Sequence, residues 1–148
     1  MLLYRELTET IIGCFYKVYN TLGYGFLEQV YENALALELS KNSLQTKKQH
    51  PIDVYYEDII VGKYFADILV NDVIILELKT DDTINKAHEA QLINYLKATG
   101  KQLGLILYFG KEAKFRRIIA NELAKKYTVS VHRTDRNGTK QSNYTKYK

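Results

Sequence analysis

The chain has 148 residues, of which 46% are hydrophobic, 26% are charged and one is a cysteine. This length suits one domain, which would bury about 70% of its unfolded surface without disulfides or a structural metal. Charged residues already occur between Met1 and Glu6, and no apolar run approaches the roughly 18 residues of a membrane span. These features argue against a secreted, membrane or disulfide-rich protein, and we expect a cytoplasmic one.

The net charge of +4 is spread unevenly along the chain. Residues 1–110 carry a formal charge of −4, whereas residues 111–148 carry +8. A basic C-terminal segment favours a polyanionic partner such as nucleic acid. A solvated tail that keeps the protein soluble explains the same distribution equally well.

Two amphipathic helices are predicted near the N-terminus. Apolar residues recur at three- and four-residue spacing from Tyr4 to Leu22, which predicts a helix ending at Gly23, a residue suited to a left-handed cap. Gly23 and Gly25 then interrupt the pattern. A second helix is predicted from Leu27 to Lys41.

From about Lys47 the apolar period changes to two, which is typical of β-strands. Turns are predicted at Glu57-Asp58 and Asn71-Asp72, because these residue types favour tight turns. Short turns between strands predict an antiparallel meander. Its predicted strands are Ile52–Tyr56, Ile59–Val61, Tyr64–Val70 and Val73–Thr80.

A third helix is predicted from Ile84 to Ala98, followed by an apolar strand from Leu103 to Phe109. The pattern of Lys111 to Ile119 fits a strand or a helix. Helices, a meander and a helix crossing to a further strand predict an α/β (α+β) domain with a central mixed sheet flanked by helices. We expect residues 1–119 to form this domain and residues 120–148 to be a basic C-terminal extension, first helical and then partly mobile.

The predicted strand Val73–Thr80 contains charged residues that a buried strand does not accommodate cheaply. Glu77 and Lys79 lie two residues apart, so both side chains point to one face of the sheet. A two-residue turn would place Asp67 opposite Leu76 and on the other face. An odd-length loop or a bulge would place Asp67 opposite Glu77, and we predict one of these two.

Two carboxylates brought so close repel each other, and a hard cation would remove that repulsion. Oxygen ligands suit Mg²⁺ or Mn²⁺, whereas the single cysteine and three scattered histidines offer no zinc site. In such a site Lys79 could orient a water or stabilise charge that develops on phosphoryl oxygens. The alternative is an ion pair between Lys79 and Asp67 or Glu77 at a sheet edge.

Further polar residues adjoin this strand in the predicted fold. His88, Gln91 and Tyr95 share one side of the third helix, next to its apolar face, where they could bind phosphate or a metal-bound water. They could equally satisfy one another's hydrogen bonds. Glu28 in the first turn of the second helix either complements the helix dipole or reaches the sheet as a metal ligand.

The motifs together resemble the GxxExxY protein family, a branch of the PD-(D/E)XK nuclease superfamily, over roughly residues 5–119. Ala66 stands where the superfamily name has proline, a position that is not a ligand. The motifs are Gly25-Phe26-Leu27-Glu28-Gln29-Val30-Tyr31, Asp67 with Glu77-Leu78-Lys79, Gln91-Leu92-Ile93-Asn94-Tyr95, and Leu103-Gly104-Leu105-Ile106-Leu107-Tyr108-Phe109-Gly110.

The resemblance implies a restriction-endonuclease-like fold and a Mg²⁺-dependent phosphodiesterase. It assigns Glu28, Asp67 and Glu77 to the metal (Mg²⁺ or Mn²⁺) and Lys79, Gln91 and Tyr95 to catalysis. The expected function is a nuclease acting on nucleic acid, DNA in preference to RNA. Residues 120–148 lie outside the resemblance.

The competing function is a non-catalytic nucleic-acid-binding module with the same fold. In either case the basic residues after the last predicted apolar strand are candidates for phosphate contacts. A solvated basic surface is the alternative interpretation of these residues. The candidates are Lys111, Lys114, Arg116 and Arg117.

Overall fold

The structure is a computed structural model that describes residues 4–120, together with the backbone of two strands over residues 128–134 and 140–147. The elements follow in chain order: α1 Arg5–Leu22, α2 Glu28–Lys41, β1 Thr46–Tyr56, β2 Ile59–Val70, β3 Ile74–Lys79, α3 Lys86–Thr99, β4 Leu103–Phe109, β5 Ala113–Ile119, β6 Thr128–Thr134 and β7 Lys140–Tyr147.

Five strands form one sheet in the order β1-β2-β3-β4-β5. The pairs β1–β2, β2–β3 and β4–β5 are antiparallel, whereas β3 and β4 are parallel. A parallel pair requires a crossover, and α3 supplies it. The predicted central mixed sheet flanked by helices is therefore confirmed.

Helices α1 and α2 cover one face of the sheet. Their apolar positions recur at helical spacing and bury Phe15, Tyr31 and Leu35 completely. These side chains pack on inward-facing residues of β2, β3 and β4, including Leu76, Leu78 and Leu107. This is the larger of the two apolar cores, and its burial positions the start of α2 against the sheet.

Helix α3 covers the other face. Asn85 caps its N-terminus by accepting a hydrogen bond from the Ala87 N–H at 2.7 Å, and Gly100 ends it in the left-handed conformation. A Cβ on Gly104 of β4 would lie 2.7 Å from Leu92 of α3. Helix and strand therefore approach closely at Gly104, and this contact fixes the position of α3 over β3 and β4.

Four sequence expectations change in detail. The predicted strands Ile59–Val61 and Tyr64–Val70 form one continuous strand β2, and β1 begins earlier, at Thr46. The ambiguous segment Lys111 to Ile119 contains the strand β5, Ala113–Ile119. Gly23 ends α1 at φ 69° and ψ −169°, so its φ is positive but its conformation is not the predicted left-handed cap.

Strands β6 and β7 pair antiparallel as a separate two-stranded sheet, which the sequence did not predict. The predicted helix at residues 120–127 lies outside the described residues apart from Ala120. Across the part of the chain that is described, no helix has the length and apolarity needed to cross a bilayer.

Candidate active site

The loop between β2 and β3 decides which residues face each other. Asn71 and Asp72 have φ values of 49° and 57°, and the Val73 N–H donates to the Val70 carbonyl at 3.0 Å. Pairing then resumes between Val70 and Ile74, so the loop has three residues. The predicted odd register is confirmed, and its continuation places Asp67 opposite Glu77.

At Asp67 and Glu77, side-chain carboxylates accept the main-chain N–H hydrogen bonds that carbonyl groups accept elsewhere between paired strands. The last backbone pair is Ile68 with Leu76. Beyond it, the Asp67 N–H donates to Glu77 Oε1 at 3.1 Å, and the Leu78 N–H donates to Asp67 Oδ2 at 2.8 Å. The two side chains therefore hold β2 and β3 together where the strands begin to separate.

The alternation of β2 also changes at this point. Ile68 and Val70 pack on the side of α1 and α2, whereas Ala66 and Leu69 pack on the side of α3. Regular alternation would place Ala66 with Ile68. The strand therefore turns about its axis at Asp67, and the carboxylate lies at the junction between the two faces.

Glu28, the first residue of α2, reaches the same place from the helical layer. It is half-buried, and its carboxyl lies close enough to Asp67 for the two groups to interact electrostatically. The turn before it is fixed by Tyr31, whose hydroxyl donates to the Gly23 carbonyl at 2.6 Å and accepts from the Phe26 N–H at 3.2 Å. Gly25 in this turn has φ 108°, which favours glycine.

We call the three carboxyl groups of Asp67, Glu77 and Glu28 the carboxylate cluster. Burial and mutual repulsion determine its electrostatics. Glu77 is only 3% exposed, and its burial, together with the charge on Asp67, raises its pKa to about 8. Burial and the same Asp67 charge raise the pKa of Glu28 to about 7. Lys79 partly offsets both shifts by favouring the ionised forms.

Lys79 lies at the start of a hydrogen-bonded series that we call the lysine chain. Its Nζ donates to Gln91 Oε1 at 3.1 Å, and Gln91 Nε2 donates to the Tyr95 hydroxyl at 3.0 Å. Burial and the nearby Glu77 raise the pKa of Tyr95. The ammonium group is therefore held beside the carboxylate cluster. Gln91 and Tyr95 bond to each other, as the alternative interpretation of these residues expected, and Gln91 also contacts Lys79 of β3.

His88 on the same helix makes different contacts. Its Nε2 lies 3.1 Å from Asp81 Oδ2, and its Nδ1 lies 3.1 Å from the Tyr108 hydroxyl. Burial and the charge on Lys79 lower the pKa of His88. These contacts tie α3 to the segment that follows Lys79 and to β4.

The four basic candidates for nucleic-acid binding lie on β5 and the turn before it. Arg116 forms a 3.0 Å ion pair with the largely buried Glu89, and Lys114 Nζ donates to the Asp82 carbonyl at 3.2 Å. Arg117 lies on the opposite face from these two, since it is one residue further along the strand. Lys111 is exposed in the turn.

Two polar residues at the site were missed by the sequence analysis. Gln49 of β1 donates from Nε2 to both oxygens of Glu32, at 3.1 and 3.2 Å, and to Asp67 Oδ1 at 3.4 Å. Glu32 belongs to α2 and is 8% exposed. Its position one turn after Glu28 was a usable signal, whereas nothing in the sequence marked Gln49.

The donor set of the carboxylate cluster fits a hard divalent cation. In the described residues, no group of three His, Cys, Asp or Glu side chains is arranged to hold a metal ion by itself. Mg²⁺ does not require one, because it keeps several waters and binds proteins through one or two carboxylates. A cation would also offset the repulsion that raises the pKa values of Glu28 and Glu77.

Comparison with known proteins places the chain in a family. Residues 5–118 match the sequence profile of the PD-(D/E)XK nuclease superfamily. No curated protein matches the sequence. Among solved structures, the crystal structure of SSO0001 is similar with a TM-score of 0.50 and 20% identity, over 78% of this chain and 59% of that one.

The crystal structure of an alkaline exonuclease from Laribacter hongkongensis is similar with a TM-score of 0.45 and 16% identity, over 66% of this chain. The chain spans 59% of the length of each of these two proteins. The likeness to SSO0001 is one of fold, in agreement with the predicted restriction-endonuclease-like core. Because the profile covers most of the chain, the protein belongs to the PD-(D/E)XK nuclease superfamily.

Proposed function

We propose that this protein is a nuclease that hydrolyses phosphodiester bonds of nucleic acid with the help of Mg²⁺ or Mn²⁺. The observation that carries the proposal is the meeting of Asp67 and Glu77 across the three-residue loop. Glu28 approaches them from α2, and Lys79 follows two residues after Glu77. We also infer that the chain belongs to the GxxExxY branch, because Tyr31 fixes the turn that directs Glu28 toward the sheet.

Each residue has a distinct part in this proposal. Asp67, Glu77 and Glu28 would hold the metal ion through carboxylate oxygens. A bound divalent cation polarises a phosphoryl oxygen and lowers the pKa of a coordinated water. Lys79 would stabilise charge on the non-bridging phosphoryl oxygens, and its bond to Gln91 keeps the ammonium in place for this task.

Gln91 and Tyr95 support Lys79 from α3. The Gln91 amide accepts from the ammonium and donates to the tyrosine hydroxyl, so rotation of the amide would cost both bonds. The same amide could also contact a phosphate group of the substrate. We expect DNA to be cleaved in preference to RNA.

A metal-dependent cleavage assay over several substrates tests the proposal. Single-stranded DNA, duplex DNA and RNA would each be incubated with the full chain in Mg²⁺, in Mn²⁺ or in a chelator. We expect cleavage with either metal and none with the chelator. Glu77→Ala and Lys79→Ala should each reduce cleavage by at least about 100-fold, because both groups act on the reacting phosphate or its metal.

Matched controls separate chemistry from folding and contamination. Glu57→Ala in the exposed β1–β2 turn and Lys41→Ala at the end of α2 change the same residue types and should retain activity. Cleavage that survives Glu77→Ala would contradict the mechanism. Salt-sensitive nucleic-acid binding that ignores metal and both site variants, without cleavage, would support the non-catalytic binding module instead.

A further inference from the structure

Gln49 has a backbone conformation that a strand does not normally contain. Its neighbours Lys48 and His50 pair with Ile68 and Ala66, so Gln49 lies opposite Asp67. Its φ is 50°, whereas the other six left-handed non-glycine residues of the segment 4–120 lie at helix ends or in turns. A left-handed conformation is unfavourable for glutamine, so other interactions must offset its cost.

The side-chain contacts of Gln49 supply these interactions. Its Nε2 donates to both oxygens of Glu32 and to Asp67 Oδ1. Ionised carboxylates only accept hydrogen bonds, so the amide nitrogen, and not the amide oxygen, must face them. One neutral group therefore bridges two anions that would otherwise repel each other.

The bridge restrains Asp67 on both oxygens. Oδ2 accepts from the Leu78 N–H at 2.8 Å and Oδ1 accepts from Gln49 at 3.4 Å. Each carboxylate oxygen has room for a second interaction, so these bonds orient Asp67 without using up its capacity to bind a cation. Through Glu32 the same amide also ties the first turns of α2, which carry Glu28, to β1.

We propose that Gln49 is a positioning residue for the carboxylate cluster. Its left-handed conformation within β1 directs its side-chain amide between Glu32 and Asp67. This inference rests on the proposed metal-dependent function. Gln49 would not touch the metal or the substrate. It would set the separation and orientation of Glu28 and Asp67, the ligands that come from the two different layers of the fold.

Gln49→Gly separates the side chain from the backbone conformation. Glycine accepts the positive φ, so the strand can keep its path while the amide is lost. We expect the dissociation constant for Mn²⁺, measured by calorimetry on the full chain without nucleic acid, to rise about 10-fold, in the range known for groups that orient metal ligands. The kcat should fall, while KM for nucleic acid stays near the wild-type value.

Gln45→Gly, which changes an exposed glutamine just before β1, is the matched control and should leave Mn²⁺ affinity unchanged. If Gln49→Gly does not fold, Glu32→Gln provides the second test, because it keeps an acceptor oxygen while weakening the anchor of Gln49. That variant should raise the dissociation constant several-fold, with a smaller effect than Gln49→Gly. All binding is measured well below the melting temperature of each variant.

The outcomes distinguish this inference from the proposed function. A wild-type chain that binds Mn²⁺ and a folded Gln49→Gly variant that binds it equally well would overturn the positioning role alone. Glu32→Gln with wild-type affinity would do the same if it is the only variant that folds. A wild-type chain that binds no Mn²⁺ would overturn the proposed function and the positioning role together.

Discussion

In the carboxylate cluster the neighbouring groups are all acidic and repel one another when ionised, whereas in the lysine chain each side chain donates to an acceptor on the next one. The cluster therefore holds Glu77 and Glu28 with raised pKa values of about 8 and about 7. In the lysine chain both hydrogen bonds pair a donor with an acceptor. The carboxylate cluster is thus held together against mutual repulsion, whereas the hydrogen bonds of the lysine chain stabilise the folded protein.

This difference predicts opposite consequences for stability when each half is altered. Removing a charge from the carboxylate cluster relieves repulsion, so activity should be lost while stability is kept or gained. Removing a member of the lysine chain leaves a buried polar group without its partner, so activity and stability should fall together. Functional sites that trade stability for activity follow the first pattern.

Asp67→Asn should produce the largest effect. The amide oxygen can still accept from the Leu78 N–H, but the site loses one negative charge next to Glu77 and Glu28. We expect kcat/KM to fall at least about 100-fold and the melting temperature in chelator to rise or stay constant. Glu57→Gln in an exposed turn is the control. A clear loss of stability in Asp67→Asn would contradict the comparison.

Gln91→Leu should reduce activity by less, about 10-fold, because Lys79 remains present but loses the acceptor that holds it. The free energy of unfolding should fall by about 1–3 kcal/mol, since the partly buried Tyr95 hydroxyl also loses its donor. Chemical denaturation measures this change. Tyr95→Phe removes only the hydroxyl at the end of the lysine chain and should have a smaller effect. A Gln91→Leu variant that is less active but more stable would contradict the stabilising role of the lysine chain.

The pH dependence of stability sharpens the comparison further. A carboxyl group whose pKa is raised on folding makes its full contribution to stability at pH values below its pKa in the unfolded chain, which is near 4.5 for Glu77. This contribution is lost as the pH rises through about 8, the pKa of Glu77 in the folded protein. In chelator the melting temperature should therefore fall between pH 5 and pH 9 more steeply for the wild type than for Glu77→Gln. Equal slopes for the two proteins would contradict the raised pKa.

The smallest effects are expected on β5. Lys114→Ala should weaken nucleic-acid binding about 2- to 5-fold and reduce the slope of log affinity against log salt by about one. Arg116→Ala should act mainly on stability, because its partner Glu89 is largely buried. Filter binding across a salt series and thermal melting separate the two. A stronger effect of Arg116→Ala on binding than on stability would show that Arg116 acts mainly in nucleic-acid binding.

The parts of the fold with a strong apolar period were predictable. β4 has the predicted bounds, because all seven of its residues are buried and most of them are aliphatic or aromatic. The side on which Asp67 meets Glu77 was also predictable, since an odd-length loop or a bulge was needed to bring two carboxylates and Lys79 to one place, and the structure has the odd-length loop. Local sequence contains enough information when burial alone decides the structure.

Other features depend on contacts between distant segments. β2 was predicted as two pieces separated at Gly62 and Lys63, and in the structure the residues around this point lack a buried face, with Ile59, Val61 and Phe65 all more than half exposed. The left-handed conformation of Gln49 carries no local signal, because glutamine has no preference for it. Only the presence of Glu32 and Asp67 on both sides of the amide explains it.

The loop between β2 and β3 also limits how related sequences can vary. Surface loops usually accept insertions and deletions, because few contacts depend on their length. Here the loss or gain of one residue between Val70 and Ile74 would turn Asp67 away from Glu77 unless a bulge compensates, whereas a change of two residues would keep them together. In an alignment, a one-residue gap at this point would therefore mark a protein that has kept the fold but lost the carboxylate pair.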